Sequence, residues 1–135
     1  MPLVAWSNDL SVGIASIDTQ HRKLLDLINS LHEAMRQGQG RARIGEVARE
    51  LSGYVSTHFT YEERLLRAHK WPELESHLAT HKTYVAKVQE MQAQAANPTS
   101  SLVLEAQDFL RDWLTNHIRN TDTRYGSFLR SKGVT

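Results

Sequence analysis

Apolar residues recur every three or four positions through four segments of this chain, the spacing of amphipathic helices. The first segment covers about 18–37, where Ile17, His21, Leu24, Leu25, Ile28, Leu31, His32 and Met35 share a face. Asp18 is its expected N-cap, and Gly38 and Gly40 mark its expected end. The second covers about 41–69, with Ile44, Val47, Leu51, Val55, His58, Glu62, Leu66 and His69 on one stripe. The third covers about 72–95. Pro72 suits a first helical position, and Glu73 and Glu75 suit the first turn of a helix dipole. Its stripe is Leu74, His77, Leu78, His81, Val85, Val88 and Met91, and the polar run from Asn97 to Ser101 breaks it. The fourth covers about 102–118, with Val103, Ala106, Leu110, Trp113, Leu114 and His117 inward. A short helical tail is expected over 122–130. No run alternates as a strand would. The pattern predicts an all-α protein, an antiparallel up-and-down four-helix bundle spanning residues 1–135 as one domain. The first sixteen residues, with Val4, Trp6, Val12 and Ile14, read as an arm across it.

Composition narrows the function classes. With 16 Lys+Arg against 15 Asp+Glu, the charge of +1 gives no electrostatic case for nucleic acid or an anionic membrane. The absence of cysteine excludes disulfides, thiolate metal sites and a cysteine nucleophile. Met1–Leu10 lacks the basic and apolar stretches of a signal peptide, and no apolar run approaches a membrane span. A cytoplasmic protein is the expectation.

The unusual feature is polar residues on core-facing stripes. His21, His58, Glu62, His77, His81 and His117 all fall among apolar neighbours. Burying them unpaired costs several kcal/mol for a carboxylate and less for an imidazole. In an up-down bundle, helices one and three start at the end where helices two and four finish. By their distance from those ends, all of these residues sit toward one end of the bundle. His58 and Glu62, and likewise His77 and His81, are four apart, so each pair projects from one helix face. His117 and Asp122 are five apart, which on a straight helix leaves them about 140° out of line. Both reach one centre only if the helix bulges or ends between them, and Asn120 and Thr121 favour an ending. Nitrogen and oxygen donors without sulfur suit iron or manganese. The Glu-x-x-His pairs of ferritin-like sites and the His-Glu-x-x-His motif of zinc proteases are absent.

Together with Trp6, Val12-Gly13-Ile14, Ile17 to His21, His58 to Glu63, Trp71-Pro72, His77-x-x-x-His81 and Trp113 to Asp122, these residues resemble the bacterial hemerythrins along essentially the whole chain. One departure is Leu66, where that family often has Met. The resemblance implies a non-heme di-iron centre that binds dioxygen. His77, His81 and His117 would hold one iron and His21 and His58 the other. Glu62 and Asp122, with an oxo or hydroxo group, would bridge the two. That set leaves one position open for dioxygen, on the iron with two histidines. Trp113, Leu114 and Ile118 are the expected wall of the oxygen pocket.

Other polar residues have plainer readings. His32 lies too far along its helix to join the cluster and reads as core-edge. His69 complements a helix C-terminus. Glu63 points about 100° from Glu62, toward the surface or behind a ligand. Tyr125, one turn past Asp122, could donate to the cluster or simply pack, and packing is the expectation. Arg36, Arg41, Arg43 and Arg49 read as solvated surface. No acid–base group or organic-substrate channel is evident, so the expectation is an oxygen binder and not an enzyme. A di-iron oxidase or peroxidase, and a sensor of oxygen, nitric oxide or iron, are the alternatives. A metal-free bundle with a buried polar network is the plain structural reading.

Overall fold

The computed structural model describes residues 3–135. A 3-10 turn, Asn8–Leu10, is followed by α1 (Ala15–Arg36), α2 (Gly40–Ala68), α3 (Leu74–Gln94) and α4 (Ser100–His117). A π-helical turn, Ile118–Asp122, then joins α4 to α5 (Thr123–Ser131). The long helices pack as a ring, α1 on α2, α2 on α3, α3 on α4 and α4 on α1. This is the expected four-helix bundle.

Helix ends differ from the sequence expectation in instructive places. α1 starts at Ala15, so Asp18 lies within the first turn and does not cap it. Its carboxylate instead accepts from the Val12 N–H (2.9 Å) and the Ser11 hydroxyl (2.5 Å), tying the arm to the helix. Pro72 sits in the turn before α3, because the Leu74 N–H bonds the Trp71 carbonyl (3.2 Å) and closes that turn first. Thr99 caps α4 by accepting from the Leu102 N–H (3.0 Å). α1 and α2 end alike. The Gln39 N–H reaches the Ala34 carbonyl and the Trp71 N–H the Leu66 carbonyl, each past a left-handed residue. In α1 that residue is Gly38. In α2 it is Lys70 at φ 58°, a conformation that a side chain adopts at some cost.

Two apolar layers sandwich one polar layer. The larger core joins Leu24, Ile28 and Leu31 of α1, Leu51, Val55 and Phe59 of α2, Tyr84 and Val88 of α3, and Leu110 and Leu114 of α4. Each such side chain contributes roughly 1.5–3 kcal/mol by leaving water. The smaller core joins Val12, Ile14, Ile17, Leu66, Tyr125 and Leu129. Leu66 therefore packs beneath the polar layer with the arm and α5.

The arm is placed by specific contacts. The Val4 N–H donates to the Asn29 side-chain oxygen (3.0 Å), and the Asn29 amide donates back to the Val4 carbonyl (2.8 Å). The Arg22 guanidinium lies 4.7 Å from the Trp6 ring centre. Leu10 enters the larger core, and its turn packs on the π turn, where Arg119 pairs with Asp9 (2.7 Å).

Candidate metal centre

The polar layer lies between the two cores and is almost wholly buried. His21, His58, Glu62, His77, His81, His117 and Asp122 are all buried, and Glu62 is completely so. α1 supplies His21, α2 supplies His58 and Glu62 one turn apart, and α3 supplies His77 and His81 one turn apart. The C-terminus of α4 supplies His117. Asp122 closes the set through the π turn, which widens the helix so that residues five apart share a face. The expected interruption between these two is thus a bulge within a continuing helix, not an ending at Asn120 and Thr121.

The two carboxylates stand between two groups of imidazoles. Glu62 turns Oε1 toward His77 Nε2 (2.5 Å) and His81 Nε2 (3.0 Å). It turns Oε2 toward His58 Nε2 (3.3 Å) and His21 Nε2 (3.7 Å). Asp122 does the same from the other side. Its Oδ1 faces His117 Nε2 (3.0 Å) and His77 Nε2 (3.5 Å), and its Oδ2 faces His21 Nε2 (3.1 Å). Ligand atoms of Glu62, His77, His81 and His117 lie within 4.8 Å of one another, as do those of His21, His58 and Glu62.

Several of these contacts are close without being hydrogen bonds. Among the described residues, His21 Nε2, His81 Nε2, His117 Nε2 and Asp122 Oδ1 are buried and have no aligned partner. Buried polar atoms are nearly always paired. Nitrogen and oxygen lone pairs that crowd together without hydrogen-bond alignment are what a shared cation satisfies. The donor set fits a metal.

Behind the imidazoles sits a layer of supporting residues. His58 Nδ1 donates to Gln20 Oε1 (2.6 Å) and His81 Nδ1 to Glu63 Oε2 (3.0 Å), which fixes both rings with Nε2 inward. Glu63 therefore faces a ring and does not merely cover the surface. Gln20 was not singled out in the sequence; its signal is its place beside His21, one step around α1 toward α2. The Tyr125 hydroxyl donates to Glu62 Oε2 (2.7 Å), so it is a donor to the cluster and not the plain packing residue expected. His32 keeps to the core edge, donating from Nδ1 to Gln107 (3.2 Å), and His69 caps α2. Leu114 and Ile118 are buried in the larger core with Leu24 and Leu25, the next inward residues after His21. Trp113, partly buried, packs against the same core and stacks on His117 at 4.5 Å between ring centres.

Charge is strongly displaced here. Burial alone would raise the Glu62 carboxyl, but His21, His58, His77 and His81 hold it well below its ordinary range. Burial and the Glu62 charge also oppose ionisation of Asp122, yet His117 and His21 bring it down to about 2. Burial disfavours a charged His21, and Asp122 and Glu62 overcome this and push it up to about 9. The His81 imidazole is raised for the same reason, chiefly by Glu62. The metal-free chain thus has a stability window. The Asp122 contribution is complete above its unfolded value of 3.8 and is lost as pH falls toward 2. The His21 contribution is complete below 6.5 and is lost as pH rises through about 9, a loss on the order of 3 kcal/mol. Denaturant titration of metal-free protein should therefore find greatest stability near pH 4–6.5. A flat profile from pH 6 to 9 would contradict the burial of a charged imidazole network.

Comparison with known proteins agrees with this architecture. Residues 12–129 match the family model of the hemerythrin HHE cation binding domain. The chain is 35% identical over 133 residues to a bacteriohemerythrin of Stenotrophomonas maltophilia, covering 97% of this chain and 84% of that one. It is 36% identical over 132 residues to one from Pseudomonas aeruginosa, covering 96% and 84%. A crystal structure of wild-type hemerythrin superposes with a TM-score of 0.83 at 28% identity, covering 94% of this chain and 98% of that one. A leucine-to-alanine mutant of hemerythrin gives 0.85, covering 96% and 98%. A bundle that brings five histidines and two carboxylates into one buried layer, matched along nearly its whole length, belongs to the hemerythrin family.

Proposed function

We propose that this chain binds dioxygen reversibly at a carboxylate-bridged di-iron centre and is not an enzyme. The observation that carries the proposal is the placement of the carboxylates: Glu62 stands between His77 and His81 on one side and His21 and His58 on the other, and Asp122 between His77 and His117 on one side and His21 on the other. His77, His81 and His117 would hold one iron, and His21 and His58 the other. Glu62 and Asp122 would bridge them alongside a solvent-derived oxygen. When bound, a pair of ferrous ions supplies the two electrons by which dioxygen is held and released.

The chain's own residues do the rest. Gln20 and Glu63 fix the tautomers of His58 and His81, so that Nε2 is the free donor. Tyr125 holds the Glu62 carboxylate in place through Oε2. Two histidines on one side against three on the other leave the poorer side open to a ligand. Leu114 and Ile118, both essentially unexposed, keep water and protons from it. No helix of the described residues is long and apolar enough to cross a membrane, and we take the chain to work in the cytoplasm.

Metal analysis and the visible spectrum of protein purified in air test the reading. Two irons per chain are expected, with a charge-transfer absorption that bleaches on anaerobic reduction and returns with oxygen. Iron that passes directly to an unresponsive ferric state would favour an oxidase, peroxidase or sensor. Protein that stays iron-free after reconstitution overturns the proposal.

A further inference from the structure

We propose that Trp113 is an electron relay, through which an external one-electron donor returns an oxidised centre to its oxygen-binding state. The inference rests on the di-iron reading above. Of the five site imidazoles, His117 is the least enclosed, 7% exposed against 0–2% for the others. Trp113 covers it with rings nearly parallel, 14° apart, at 4.5 Å between centres. The indole is itself half-buried, so one rigid π-system spans the distance from a site imidazole to the protein surface.

The other aromatic rings in contact with site imidazoles are buried. Phe59 stacks on His81 at 3.6 Å but is only 4% exposed. Tyr125 sits 5.5 Å from His77 and is fully buried. Tyr84 extends the stack inward from Trp113 at 4.2 Å. Its buried hydroxyl has no hydrogen-bond partner among the described residues, and burial pushes its phenol well up. Tyr84 is fully buried on the inner side of Trp113, off the way from the surface to His117. Electron tunnelling decays steeply with distance and favours tightly packed atoms over gaps. Trp113 on His117 is therefore the aromatic contact that joins a site imidazole to the protein surface.

The step moves one electron. The donor is oxidised by one electron, one ferric ion is reduced to ferrous, and no protein bond forms or breaks. Two such steps return both ions to the ferrous state, and the indole ends as it began.

The test uses iron-loaded diferric protein mixed with reduced methyl viologen, the bleaching of the charge-transfer band being followed by stopped flow. Wild type is compared with Trp113→Phe, Trp113→Leu and, as control, Trp6→Leu, whose indole lies under Arg22 on the arm. Midpoint potential and iron content are measured on each. Trp113→Leu should slow reduction on the order of tenfold, equivalent to about 1.4 kcal/mol on the barrier. Trp113→Phe should fall between, and Trp6→Leu should match wild type, with potentials unchanged. Wild-type rates in both Trp113 variants, or a slowing accounted for by a changed potential, overturn the relay alone. If Trp113→Leu does not fold, the Trp113→Phe rate decides by the same criterion. Wild-type protein that takes up no iron overturns the di-iron reading and the relay with it.

Discussion

Replacing Glu62 with glutamine is expected to lower iron content from two per chain to one or none and to abolish the charge-transfer spectrum. The side chain keeps its shape but loses its charge, and an N–H₂ group replaces one of two oxygens that face opposite imidazole groups. That group donates hydrogen bonds where a lone pair is required. The metal-free chain should also suffer. In it His21 is held charged by Glu62 and Asp122, and removing one partner from a buried charged network costs about 3–5 kcal/mol. The loss should be smaller above pH 9, where His21 is neutral in either protein. Elemental analysis and denaturant curves of metal-free protein measure both effects. Glu62→Leu likewise removes one partner from the buried network and should lose both iron and metal-free stability. Two bound irons and a native spectrum in Glu62→Gln would remove Glu62 from the centre altogether.

The parts of this site legible in the sequence are those set by helix period. Pairs four apart, such as His58 with Glu62 and His77 with His81, must share a face wherever the helix goes. Depth from the helix ends then puts them at one level, and the structure places them there. Asp122 was legible only as a problem, because five residues do not fit an α-helical face. Asn120 and Thr121 look like helix-breakers, yet the chain absorbs the extra residue as a π turn, so that α5 continues and Tyr125 arrives under Glu62. Side-chain reach across helices is harder to read. Gln20 and Glu63 sit beside His21 and Glu62 in sequence, but their hydrogen bonds go to rings on neighbouring helices. The arm was least legible, because its positions have no period. It is held by individual contacts such as Asn29 with Val4 and Asp18 with Val12.

That arm gives the second large effect, on stability. Gly126→Ala should destabilise the protein even though alanine is the better helix former by about 1 kcal/mol. Gly126 lies in α5 against the arm, and a Cβ there would stand 2.3 Å from the Val12 carbonyl oxygen and 3.1 Å from its carbonyl carbon. The obstacle is backbone, not the end of a flexible side chain. Val12 cannot withdraw freely, because its N–H is held by Asp18 and its side chain is buried beside Ile14 and Leu129. Overpacking of this kind costs about 1–3 kcal/mol net, and at roughly 4 °C for each kcal/mol the melting temperature should fall by several degrees. Tyr125, the neighbouring residue, would move with the helix and loosen its bond to Glu62. Gly53→Ala is the matched control. Gly53 is an exposed interior position of α2 where a Cβ meets nothing within 4 Å, so the same change should raise stability by about 0.5–1 kcal/mol. Thermal melts of the two variants should therefore shift in opposite directions. A stabilised Gly126→Ala would mean that the arm yields without cost and that its packing against α5 does not hold the lower core in place.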